Sequence, residues 1–97
     1  MKKDERKMLV IINELTDLEN ELRQIDWGDD KITVARKFTN SLNRKFVSKK
    51  YDKYKEEYQA IKCSITDWMI GKTTGDEVAN QVRALYKKML KKLISSK

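Results

Sequence analysis

Cys63 is the single thiol of this 97-residue chain. A thiol attacks carbon or holds a metal only as thiolate, so it needs a neighbouring group that takes its proton. The chain contains no histidine. That removes the commonest general base and the commonest transition-metal ligand together. Lys62 is next in sequence, but adjacent residues on a helix do not face each other. Cys63 lies between the apolar positions Ile61 and Ile65 and is expected to be a small, partly buried filler. Gly71-Lys72-Thr73 has the ending of a phosphate loop, yet the glycine required five residues before the Gly-Lys pair is Thr66. The acid pairs Asp29-Asp30, Glu56-Glu57 and Asp76-Glu77 fall at helix termini or on lysine-laced faces, where capping and surface pairing account for them. The expectation is a protein without a catalytic centre, metal site or cofactor.

Binding is the remaining class, and the charge points to it. The net charge is +7 and is unevenly placed. Residues 1–30 carry five bases and nine acids, residues 31–62 ten and three, and residues 63–97 seven and three. Basic surface left over after internal pairing must face water, phosphate or an anionic membrane. The run from Lys49 to Tyr58 interleaves bases with tyrosines, which would suit lysines on phosphates and rings on bases. The same tyrosines also fit a buried helical seam. A non-specific phosphate-binding set would comprise Arg36, Lys37, Arg44, Lys45, Lys49, Lys50 and Lys53. No tight-turn glycine marks a helix-turn-helix in residues 33–51 or 73–90.

These residues are positioned by four amphipathic segments. In the first, about 4–25, Met8, Ile11, Leu15, Leu18, Leu22 and Ile25 step 3, 4, 3, 4, 3, one seam of a helix. Leu9 and Ile12 widen that stripe. Gly28 suits a left-handed turn, and Asp29 and Asp30 can cap the next helix. The second segment, about 30–47, is expected to bury Ile32, Ala35, Phe38, Leu42 and Phe46. The third, about 50–70, repeats the 3, 4, 3, 4, 3 step through Tyr51, Tyr54, Tyr58, Ile61, Ile65 and Trp68. Ser48 is a cap between these two, with a single bent helix over 30–70 as the alternative. Gly71 to Gly75 forms a loop. Thr74 with Glu77 makes a capping box that starts the fourth helix, about 74–94, with its stripe at Val78, Val82, Leu85, Met89 and Leu93.

The absence of proline, with only three glycines and 38% charged residues, fits helices rather than sheet. The expected fold is a single all-α domain over 1–97, an antiparallel up-down-up-down four-helix bundle. One unpaired cysteine points to a reducing compartment. No apolar run approaches membrane-spanning length, and Met1 to Lys7 leads into an amphipathic helix rather than a signal-peptide core. The mature protein is therefore expected to be the whole chain and cytoplasmic.

The tryptophans Trp27 and Trp68 stand beside loops, as caps on the bundle's ends or parts of a contact patch. The chosen partner-binding set is Trp68, Met69, Lys72, Arg83, Lys87, Lys88, Lys91 and Lys92. Trp68-Met69-Ile70 forms the most apolar helix end of the chain.

The helix order resembles that of the immunity proteins of pediocin-like (class II) bacteriocins. The likeness rests on small size, basic charge, the opening helix Val10-Ile11-Ile12-Asn13-Glu14-Leu15-Thr16-Asp17-Leu18-Glu19, and the later segment Ile61 to Ile70. The proline-containing stretch before the third helix of many members is absent here. The resemblance implies a cytosolic bundle that protects its producer cell by engaging a toxin-bound membrane receptor from inside, its C-terminal half setting specificity. A nucleic-acid-binding accessory protein of phage or plasmid type is the alternative expectation. Heptad spacing in the first segment would also serve a homodimer.

Overall fold

In the computed structural model, which describes residues 3–24 and 28–95, the apolar stripes lie along four α-helices. They are α1 (Lys3–Gln24), α2 (Gly28–Phe46), α3 (Lys55–Met69) and α4 (Gly75–Ser95), and a 3₁₀ turn over Lys49–Tyr54 precedes α3. No strand occurs among the described residues. The expected all-α four-helix bundle is what forms. Ile25 and Trp27, read as seam end and cap, lie outside the described residues. The second helix begins at Gly28, so Asp29 and Asp30 stand inside its first turn instead of before it.

Local chemistry punctuates the chain where backbone groups would otherwise be left without partners. Ser48 adopts an extended conformation, and its hydroxyl accepts from the Lys50 N–H at 3.4 Å. That cap, with the Tyr51 N–H donating to the Ser48 carbonyl at 3.1 Å, separates α2 from the 3₁₀ turn. The bent-helix alternative over 30–70 is thereby corrected to two helices. The first turn of the expected third helix is also corrected, to a 3₁₀ turn kinked at Tyr51. At the end of α3, Gly71 takes φ +82°. Gly71 N–H donates to Trp68 O at 3.2 Å and Lys72 N–H to Asp67 O at 2.8 Å, the paired closure of a Schellman motif. Thr74 Oγ1 then accepts from the Glu77 N–H at 3.2 Å and opens α4. The Glu77 carboxylate meets the Thr73 hydroxyl, so only half of the capping box is made.

Cross-links set the direction of each helix. Arg23 meets Asp76 at 3.3 Å and Asn80 at 2.9 Å, while Glu19, a turn earlier, meets Tyr86 at 2.6 Å. Earlier residues of α1 thus face later residues of α4, and the two run antiparallel. Lys31 donates to the Trp68 carbonyl at 3.2 Å while the Tyr58 hydroxyl lies 2.5 Å from Asn43 Oδ1, which makes α2 and α3 antiparallel too. The bundle measures 42 × 20 × 19 Å.

Backbones approach closely where α4 starts. A Cβ built on Gly75 would lie 2.0 Å from the Leu22 carbonyl oxygen, so only glycine lets α4 begin against the end of α1. The core holds Ile11, Ile12, Leu15, Leu18 and Leu22 from α1, and Val78, Ala79, Val82, Leu85, Met89 and Leu93 from α4. All six residues of the expected Tyr51–Trp68 seam are buried. Two corrections concern packing. Ile32, expected inside, is 44% exposed; Val34 is buried in its place, because the α2 stripe follows the 34, 38, 42, 46 row. Cys63, expected to be partly buried, is exposed, since Ile61 and Ile65 turn it out of the seam.

Candidate functional site

The trough between α3 and α4 is built from residue size. On α3, Glu57, Ala60 and Ile61 share one flank at helical spacing, and on α4 so do Gln81, Ala84, Leu85 and Lys88. Alanines on both sides leave unfilled space of about 560 Å³, floored by Ile61 and Leu85. The rim is basic, with Lys87, Lys88 and Lys91 on α4. Lys88 bridges the trough to Glu57, and this partner holds the Lys88 ammonium above its ordinary pKa. The second carboxylate oxygen of Glu57 is shielded from solvent, with no hydrogen-bond partner in the described residues. Lys88 and Lys91 also line a further cleft of about 390 Å³ with Lys53, Tyr54, Lys92 and Ser95, so the basic rim runs on to the end of the bundle. An apolar floor and lysine rim suit an amphipathic, acidic segment, with affinity from apolar burial and orientation from charge.

The eight residues expected to bind a partner divide into separate groups. Lys87, Lys88, Lys91 and Lys92 share the rim and its continuation. Arg83 is on the α1 side of α4, where its charge helps lower the pKa of Glu19. Lys72 is in the loop at the opposite end, and Met69 packs partly against the core beside the α2–α3 groove. Trp68 is 1% exposed and cannot touch a partner, a correction to the expected contact patch. Its ring closes the bundle end beside Gly75, and the Lys31 ammonium stands 5.3 Å from the ring centroid. Of the expected apolar helix end, Ile70 alone is well exposed.

The seven residues of the phosphate-binding alternative do not form one face either. Arg44, Lys45 and Lys50 line a cleft of about 300 Å³ between α1 and the α2 end, together with Lys7 and Val10. Lys45 is held by Glu14 at 2.5 Å and by Ser41 at 2.8 Å, and Lys50 by Asp4. Arg36 lines the α2–α3 groove, Lys37 lies over the Phe38 ring, and Lys53 over the Tyr54 ring. Lys49 is exposed in the 3₁₀ turn. The tyrosines that could have stacked on bases are inside. Phe46 and Tyr58 stack with centroids 4.6 Å apart, and burial, aided by Glu14, pushes the Tyr58 hydroxyl up to about 12.

One polar site escaped the sequence reading. Glu19 is 6% exposed, the one buried charged side chain among the described residues. Its Oε1 accepts from the Tyr86 hydroxyl at 2.6 Å and its Oε2 from Arg23 at 2.9 Å. Burial works to raise the Glu19 pKa, but the Tyr86 and Arg23 hydrogen bonds and the arginine charges outweigh it, and the net shift is downward. The available signal was the Glu19–Arg23 spacing of one helical turn beside an apolar seam.

No family model matches the chain, and neither the curated proteins nor the solved structures give a match.

Proposed function

We propose that this chain is a non-enzymatic helical binding protein of the bacteriocin-immunity type, and that its α3–α4 face receives an acidic, amphipathic segment of a protein partner at the inner face of the membrane. The reading draws on the resemblance in helix pattern and charge. The observation that carries it is the lysine-rimmed trough between α3 and α4, with Ala60 and Ala84 on its sides and Ile61 and Leu85 at its floor. Its placement in the second half of the chain accords with the half that the resemblance makes specific. The test is expression in a bacteriocin-sensitive strain. Resistance to a pediocin-like peptide is expected, and Lys87→Glu with Lys91→Glu should abolish it while leaving the helical circular dichroism and melting temperature within experimental scatter. Absence of resistance to every peptide of the class would overturn the reading.

A second reading, a basic nucleic-acid-binding accessory protein, draws on the cleft that gathers Lys7, Arg44 and Lys50. Lysines on phosphates would make such binding fall steeply with salt. Gel shifts of duplex DNA and RNA at low salt decide it, and an unretarded band removes it.

A further inference from the structure

The antiparallel order gathers at one end of the bundle the start of α1, the end of α2, the 3₁₀ turn and the end of α4. Bases that are scattered along the chain converge there: Lys7, Arg44, Lys49, Lys53 and Lys91 stand at that end, none of them in an ion pair with a described residue. The opposite end, where α1 and α3 finish and α4 starts, sets Glu21, Asp67, Asp76 and Glu77 against Arg23, Lys31 and Lys72, and so lacks that excess of bases. The molecule is therefore polarised along its 42 Å axis.

A second observation coincides with the basic end. Val47, just after α2, is 71% exposed, and Ile94, in the last turn of α4, is 63% exposed. Neither packs against the core, and both stand beside lysines. Branched apolar side chains among lysines add nothing to a phosphate backbone but gain free energy on entering the headgroup region of a bilayer. The bundle is about 20 × 19 Å across its long axis. Tyr51, Tyr54 and Tyr58, the rings that could stack on bases, are buried.

We propose that this end is a docking surface for an anionic lipid bilayer, on which the bundle stands end-on with its lysines at the lipid phosphates and Val47 and Ile94 among the headgroups. The proposal shares Lys91 with the rim of the α3–α4 trough but needs no protein partner, so lipid vesicles alone test it.

The full chain is sedimented with phosphatidylcholine vesicles containing or lacking phosphatidylglycerol. Retention is expected on the anionic vesicles at low salt, at least tenfold weaker on the neutral ones, and falling as salt screens the lysines. Lys49→Glu should weaken retention about tenfold, while Lys72→Glu, the same change of net charge at the other end, should leave it within about twofold. Val47→Asn with Ile94→Asn keeps every charge and should weaken it several-fold, whereas Ile70→Asn should not. Absence of retention on anionic vesicles, equal retention on neutral ones, or equal damage from Lys49→Glu and Lys72→Glu would overturn the proposal. So would undiminished retention of the Val47→Asn/Ile94→Asn variant on anionic vesicles, because lysines on phosphates would then account for all of the binding.

Discussion

Glu19 is the residue whose chemistry most affects how the bundle responds to its surroundings. Its carboxylate ties α1 to α4 through Tyr86 and stands one turn from Arg23, which reaches on to Asp76 and Asn80. A carboxyl whose folded pKa lies below its unfolded value contributes stability above the unfolded pKa, and loses it as the pH falls through the folded one. The shift at Glu19 is downward. Its contribution is therefore complete at neutral pH and disappears as the pH drops below the ordinary carboxylate range. Glu19→Gln should lower stability by about 1–3 kcal/mol at neutral pH, since a charge-assisted pair is replaced and Tyr86 keeps a weaker acceptor. Urea unfolding of both proteins at neutral pH and at about pH 3 checks this, and the difference should shrink at the lower pH.

Among the elements, α1 and α4 form the most extensively packed pair. Gly75 permits a close backbone contact between them, and a helical glycine normally gains stability on replacement by alanine. Here the added Cβ would sit 2.0 Å from the Leu22 carbonyl oxygen. Gly75→Ala should therefore destabilise by about 1–3 kcal/mol, opposite in sign to the helix propensity, and a lowered melting temperature would record it. Thr74 acts at the same junction by capping Glu77 N–H. Thr74→Ala should cost about 1 kcal/mol, measured by chemical denaturation, and Thr74→Ser should restore most of it. The break between α2 and α3 has another basis. Ser48 halts the helix, and a 3₁₀ turn carries Tyr51 and Tyr54 into the core before α3 begins.

At the scale of the whole molecule, the apolar seam of α1 that could have served a coiled-coil dimer is used within the chain. Ile11, Leu15, Leu18 and Leu22 are all buried in the bundle core. Sedimentation equilibrium at micromolar concentrations should accordingly give the mass of one chain. The four apolar stripes and the caps at Ser48 and Thr74 were legible in the sequence, because 3.6-residue periodicity and capping chemistry are local, whereas the break between α2 and α3 was settled only by the structure. The seam from Tyr51 to Trp68 was legible on the same ground, and so was its competition with base stacking. Which flank of each stripe points inward is not a local property. Ile32 is turned out and Val34 in because the neighbouring helix, not the spacing, decides how far α2 rotates. Trp68 fitted both the third seam and a partner-contact patch, and only the seam holds, since Gly75 and Lys31 close over its ring once α2 and α4 have docked. The trough at Ala60 and Ala84, and the gathering of Lys7, Arg44, Lys49, Lys53 and Lys91 at one end, join residues far apart in sequence. The sequence determined four amphipathic helices and an excess of positive charge. Antiparallel packing alone decided where that charge collects, because it sets which helix ends are neighbours.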